Sequence, residues 1–388
     1  MDDKEEVGFD AEEFIEQWQR SIKEGMKPEQ LMLRQLVKSL ESIQKVRIQV
    51  GNRLAASKRV QLGLNPSSKE ESENMAHKIL KQLRDCYDKI TEGLVRLPPA
   101  TKFKGVGILD SYVELLMMQN YLQLLKQEEE LERRLGSNLP EFPLWTEYLQ
   151  HVKGCGPKTA AYILAYVNPY KMEKPSSLWK YSGYDVAEDG RGRGRYKAHL
   201  VKKKYKDSKG KITEADGVTF RPGLKGALWK MAESMLKLGL KLEEVSDEEF
   251  DNAAEHCRSL TSKGIRKDVP CVRMPTTHLG KCYIDRRHYE YTRPDAIRRK
   301  SKAGKEGEQK DLGIDAKRVH DRCRRYMIKQ FLTEVYEVWR ALEGLTVAPP
   351  YEVWKFGKTP HRGPRDTATG YRFTGYLKDA EEDAREAA

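Results

Sequence analysis

Residues 143–167 read PLWTEYLQHVKGCGPKTAAYILAYV, and the fold is read outward from this stretch. An apolar helix ends at Val152, Gly154-Cys155-Gly156 makes a tight turn, and Pro157 stands where a second helix begins. Its fixed φ suits the first helical position, where the missing N–H costs nothing. Ala160, Ile163, Leu164 and Val167 then face inward at helical spacing. The pattern is helix, G-x-G turn, helix. Two glycines permit positive φ and close backbone approach. The open N–H groups at the start of the second helix favour an anion, and Lys158 adds charge. Two readings stay open. Gly154, Gly156, Lys158 and Thr159 grip a phosphate, or the turn is a structural corner whose glycines serve packing.

Upstream, the chain reads as helices throughout. An amphipathic helix is predicted around Phe14, Ile15, Trp18 and Ile22. Pro28 opens a longer one, with Leu31, Leu33, Leu36, Val37, Leu40, Ile43, Val46, Ile48 and Val50 on one broad face. Residues 62–72 are turn-rich, and a third helix is predicted from Asn74 to Leu94, before Pro98-Pro99. Residues 107–135 give the cleanest pattern, with a stripe of Val113, Leu116, Met117, Tyr121, Leu124 and Leu125. The following KQEEELERRL is charged nearly all round, as in a coiled-coil arm or a solvent-bridging helix.

Downstream, RGRGRYKAHLVKKKYK (191–206) carries eight Lys or Arg in sixteen residues and no acid, with Tyr196 and Tyr205 interleaved. Arg191, Arg193, Arg195, Lys197, Lys202, Lys203 and Lys204 suit phosphates, and tyrosines can stack on unpaired bases. The chain as a whole agrees with a polyanionic partner. Its 388 residues hold 71 Lys and Arg against 59 Asp and Glu, a net charge of +12. No apolar run approaches the roughly 18 residues of a membrane span. MDDKEEVGFD is acidic and does not read as a signal peptide. The six cysteines stand singly, which suits reduced thiols and a cytoplasmic location. SKAGKEGEQK (301–310) reads as a flexible loop, and the tail from 346 as mobile. Between them, residues 316–345 read as a strong helix whose buried face is Val319, Cys323, Met327, Phe331, Val335, Val338 and Leu342. Arg324 and Arg325, in its basic first half, are expected to contact a nucleic-acid backbone.

The centre of the chain, VKGCGPKTAAYILAYVNPYKMEKPSSLWKYSGYD, resembles the Nop domain of box C/D ribonucleoproteins. There a glycine-rich hairpin precedes a P-[SA]-S segment and a glycine, matched here by Pro175, Ser176, Ser177 and Gly183. It also resembles the C-terminal domain of the bridge-RNA-guided insertion-sequence transposases. Leu178, Tyr181, Ser182 and Gly183 stand in one motif of that domain, and Leu224, Lys225, Ala227, Leu228 and Ala232 in a second. Tas proteins of the tandem interspaced guide RNA systems are similar to both. The chain departs from the transposases where their nucleophilic Ser would stand, for Arg191-Gly192-Arg193-Gly194 occupies that distance, and no acidic strand-rich domain is legible.

The resemblance implies a mainly α fold: an N-terminal helical region (1–100), a long-helix coiled-coil arm (101–145), a Nop-like domain (146–345) and a tail (346–388). It implies a protein without its own nuclease that holds a guide RNA and reaches target DNA by base pairing, as a homodimer through its long helices. Ser176, Ser177 and Lys180 join the residues expected to touch nucleic acid, with Trp179, Tyr181 and Tyr184 read as core aromatics more readily than stacking platforms. Three other readings remain open: a divergent transposase or recombinase, a guide-free architectural protein, and a protein–protein scaffold. No catalytic residue and no cofactor motif is legible. Cys257, Cys271, His278 and Cys282 are zinc-ligand types without paired spacing, so no metal site is expected. His278, Cys282, Asp285 and His288 do not have the spacing of a nuclease finger. Asp311, Asp315 and Asp321 lie before or inside a helix, where capping is the ordinary role of Asp.

Overall fold

The structure, a computed structural model, describes residues 25–63, 72–206, 210–255, 259–261, 269–294, 298–300 and 311–348. The amphipathic segment near Trp18, the loop at 301–310, Cys257 and the tail beyond 348 lie outside these residues. The chain is mainly helical and divides into two compact units, Met32–Asn138 and Met1–Leu31 with Leu139–Ala388. The long-helix arm expected as a separate piece thus groups with the helices before it, up to Asn138.

The first unit is built from α1 (Pro28–Gln61, its first turn assigned to the second unit), α2 (Ser72–Thr91) and α3 (Tyr112–Asn138). Its core is Val50, Leu54, Ile79, Leu83, Leu109, Leu115 and Met118. The α3 stripe departs from expectation only in part, for Met117, Tyr121 and Leu124 pack against this core. Leu115 and Met118 are buried, whereas Val113 is 63% and Leu116 43% exposed. The sequence YVELLMMQNYLQLL is apolar on more than one face, and the choice is settled by polar anchors. Lys58 of α1, only 2% exposed, donates to Asp110 at 2.7 Å and pairs with the buried Glu114 at 2.6 Å. A buried lysine requires such partners, and pairing with Glu114 turns the adjacent Leu115 inward. The charged end of α3 is not wholly solvated either. Glu128 is buried, accepting from Arg47 at 2.5 Å and Gln44 at 2.7 Å. Val46 and Ile48 of α1, expected inside, are exposed.

The second unit is organised around its last described helix, α10 (Ala316–Leu342). The predicted face from Val319 to Val338 is buried, and from Phe331 to Trp339 every residue is buried, including Thr333, Glu334 and Glu337. A stretch enclosed on all sides is central, so the second half of α10 is a core element, while its first half keeps an exposed side. The unit's other helices are, in chain order, α4 (Pro143–Glu147), α5 (Pro157–Tyr166), α6 (Pro175–Ser182), α7 (Pro222–Gly239), α8 (Asp247–Glu255) and α9 (His278–Thr292); α4, α6, α7 and α9 pack against α10, and α5 packs on α7. Among the described residues, three small antiparallel sheets were not legible in the sequence. They are a hairpin of β1 (Leu200–Lys206) and β2 (Ile212–Val218), then a sheet ordered β3-β5-β4 from Leu240–Glu244, Pro270–Pro275 and Ser259–Thr261. The third pairs β6 (Arg298–Lys300) with β7 (Asp311–Ile314).

The segment before the G-x-G turn is not one helix running to Val152. It is the short α4 followed by a 3₁₀ turn, Leu149–His151. Tyr148, between them, is buried and donates its hydroxyl to Glu334 of α10 at 2.6 Å. His278 of α9 holds the other oxygen of Glu334 at 3.1 Å and lies 3.7 Å from the Cys282 sulfur. Burial alone would lower the His278 pKa, but the bonds to Cys282 and Glu334 carry it up to about 10.

Candidate nucleic-acid interface

The two glycines of the turn have different jobs. Gly154 has φ +92°, and a Cβ there would stand 2.5 Å from the backbone nitrogen of Met235 in α7. It exists so that two backbones can touch, which is the packing reading of the turn. Gly156 is exposed, has extended backbone, and nothing lies within 4 Å of where its Cβ would be. It opens α5 without a side-chain cap, Pro157 follows at the first position, and Lys158 and Thr159 are half-buried in the first turn. The end of α5 at Gly156 therefore remains the part of the turn with room for an anion. Ser176, Ser177 and Lys180 are exposed along α6, whose C-terminus closes on left-handed Gly183 (φ +76°).

The basic segment is a stapled loop followed by a strand. The Arg193 guanidinium grips both oxygens of Asp185 at 2.8 Å and donates to the Thr219 hydroxyl at 3.2 Å. This pairing raises the Arg193 pKa further, the bond to Asp185 being the main cause. Asp189 accepts from the Arg191 backbone N–H at 3.0 Å and meets His199 at 3.1 Å, bonds that hold its carboxyl below the usual range. The Gly194 N–H donates to the other His199 nitrogen at 3.1 Å. Arg193 and His199 thus shape the loop, leaving Arg191, Arg195, Tyr196 and Lys197 exposed.

β1 and β2 then form a ribbon with two unlike faces. Register places Lys202 opposite Asp216 and Lys204 opposite Glu214, and these pairs lie 2.9 and 3.9 Å apart. That face is charge-balanced, which tempers the expectation that all three lysines serve a polyanion. The other face carries Val201, Lys203 and Tyr205 opposite Gly217, Ala215 and Thr213, with no acid among them. The Lys203 stem lies over Gly217, where a Cβ would meet its Cδ at 2.7 Å.

The two neighbouring arginines of α10 separate. Arg324 is 5% exposed, donates to the Trp229 carbonyl at 2.7 Å and stacks 3.9 Å from that ring's centroid. It is a packing residue, contrary to its expected nucleic-acid contact, because its side of α10 faces α7. Arg325 turns to the basic loop and covers Gly192, leaving no room for a Cβ there. Beside it is a residue that sequence reasoning placed only in a helix motif. Lys225 donates to the Arg193 carbonyl at 2.5 Å and sits 4.3 Å from the Phe220 ring centroid. Burial, with Arg325 and Arg193 opposing its charge and Asp185 favouring it, brings its pKa down to about 8. Nothing in the sequence marks it, since its partners lie 32 and 100 positions away (225 − 193 and 325 − 225).

The aromatics are chiefly structural. Trp179 donates its indole N–H to the Lys329 carbonyl at 3.2 Å, and buried Tyr184 donates to the Lys225 carbonyl at 2.8 Å. Among the described residues no group of three or more His, Cys, Asp or Glu is placed to hold a metal. Asp315 caps α10, accepting from the Arg318 N–H at 3.0 Å. No helix of the described residues is long and apolar enough to cross a membrane. Comparison with protein-family models, curated proteins and solved structures returned no match.

Proposed function

We propose that this chain binds nucleic acid, holding a guide RNA and reaching DNA through that RNA's base pairing, with no nuclease of its own. The observation that carries the reading is the tract from Arg191 to Lys204. Its exposed cations stand on a loop held in shape by buried and half-buried anchors, Arg193–Asp185 and His199–Asp189. A shaped loop loses little entropy on binding, and its cations displace counterions from phosphates. Arg191, Arg195, Lys197 and Arg325 supply the phosphate contacts, and Lys203 with Tyr205 offers an acid-free face for backbone and base. The RNA guide comes from the resemblance to Tas proteins and Nop domains, in which protein reads shape and base pairing reads sequence. In this reading a second copy pairs through the helical unit, covering exposed Val113 and Leu116 of α3.

The test begins with protein purified at low salt. Co-purifying nucleic acid is extracted, treated with RNase or DNase, and sequenced. A discrete RNA of uniform length, lost from an Arg191→Ala/Arg195→Ala/Lys197→Ala variant, is the expected result. Arg193 is left intact because it holds the loop. Heterogeneous nucleic acid, or none, overturns the guide. For the pairing, sedimentation equilibrium of Val113→Glu/Leu116→Glu should give half the mass of the unaltered protein.

A further inference from the structure

Where α9 meets α10 the protein concentrates more positive charge than its fold requires. Glu290 of α9 is fully buried and accepts from three guanidinium groups. Arg286 reaches it at 2.5 Å, Arg322 of α10 at 3.1 Å and Arg293 at 3.3 Å. One cation neutralises one carboxylate. The second and third add repulsion between like charges that a merely structural ion pair avoids. The surplus faces outward, since the Arg322 side chain is 45% and that of Arg286 30% exposed. Aromatic rings stack against the guanidinium groups. Exposed Tyr289 lies 4.8 Å from the Arg286 guanidinium and 5.8 Å from that of Arg293, and Tyr326 of α10 lies 5.2 Å from Arg286. Planar guanidinium groups held in place by a buried carboxylate and by rings suit bidentate recognition of phosphate oxygens.

We propose that the Arg286–Arg293–Arg322 cluster, organised by Glu290, is a second phosphodiester-binding surface of this chain, apart from the basic loop. The identity of the ligand rests on the nucleic-acid reading above, whereas the site stands on its own geometry. Glu290 acts as a positioning residue: it sets three arginines against one length of sugar–phosphate backbone.

The test uses the full chain with a labelled single-stranded RNA and a labelled DNA duplex, read by fluorescence anisotropy over a salt series. Arg322→Ala should weaken binding about fivefold and reduce the salt slope by roughly 0.7 to 0.9, the share of one phosphate contact. Arg322→Lys should restore the slope but not the full affinity. Glu290→Gln makes the surface one charge more positive, so charge alone would tighten binding. Positioning by Glu290 requires that it weaken. Should Glu290→Gln not fold, the Arg322 pair still decides. Unchanged affinity and slope in Arg322→Ala, alongside a loss in the Arg191/Arg195/Lys197 variant, overturns the cluster and leaves the nucleic-acid reading intact. A protein that binds neither probe overturns both. Whichever probe responds to Arg322→Ala identifies the strand that the cluster holds.

Discussion

At the scale of single residues, neighbours in sequence take opposite roles. Gly154 and Gly156 look alike in the sequence, yet one has φ +92° against the α7 backbone and the other faces open space. Gly154→Ala should therefore destabilise by about 3 kcal/mol or prevent folding, through strain and overlap together. Gly156→Ser, given a cap to offer α5, should stabilise by about 0.5 kcal/mol. Chemical denaturation of the two variants checks both. Arg324 and Arg325 diverge because successive side chains point about 100° apart around a helix. Sequence can show that two arginines are adjacent but not which one the core takes. Lys225 gives a test in solution. Its pKa of about 8 lies below the unfolded value, so the unfolded chain binds the extra proton between pH 8 and 10.5. This lysine's burden on stability is thus full below pH 8 and is relieved progressively from there to pH 10.5, as the folded chain sheds that proton. The same step removes one positive charge from the group it forms with Arg193 and Arg325. At constant ionic strength, RNA affinity should fall about two- to fourfold from pH 7 to 9, and Lys225→Arg should flatten the profile.

At the scale of elements, legibility follows burial. α1 was readable from Pro28 and α10 from its four- and three-residue steps, because apolar residues recur at helical spacing in both, although the stripe of α1 is interrupted at exposed Val46 and Ile48. β1 was not, since LVKKKYK is exposed from Val201 to Tyr205 and so has no inside to alternate with. The α3 stripe was half legible: Met117, Tyr121 and Leu124 pack against the core, whereas Val113 and Leu116 face out, and Lys58 of α1, pairing with Glu114, helps decide the face. The basic tract was legible as a charge density, but not as a shape, because the partners that hold it, Asp185, Thr219 and Lys225, stand apart from it in sequence. The α9–α10 contact yields its own prediction. His278 has a pKa near 10 beside buried Glu334, well above its unfolded value near 6.5. Its stabilising effect is complete below pH 6.5 and lost as pH climbs through 10. His278→Ala should cost about 3 kcal/mol at pH 6 by leaving a buried carboxylate without its cation, and clearly less at pH 9. Thermal or urea denaturation at the two pH values measures the difference.

At the scale of the whole molecule, the unit closed by α10 carries both basic surfaces, the loop with its hairpin and the arginine cluster on Glu290. If both engage one strand, their effects on the salt slope add. A variant lacking Arg191, Arg195, Lys197 and Arg322 should then lose about three to four units of slope while retaining its circular dichroism spectrum. The central place of α10 also has a meaning in time. A ribosome delivers the chain from the N-terminus at roughly 5–20 residues per second, and domains generally fold as units. The Met32–Asn138 unit has all its pieces once α3 has emerged, and it can close early. α4, α6 and α7 must wait, the sides they turn to α10 uncovered, until α10 arrives on the order of ten seconds or more later. During that interval the nascent second unit is an open shell without its axle, and it is then that this protein would have most need of a chaperone.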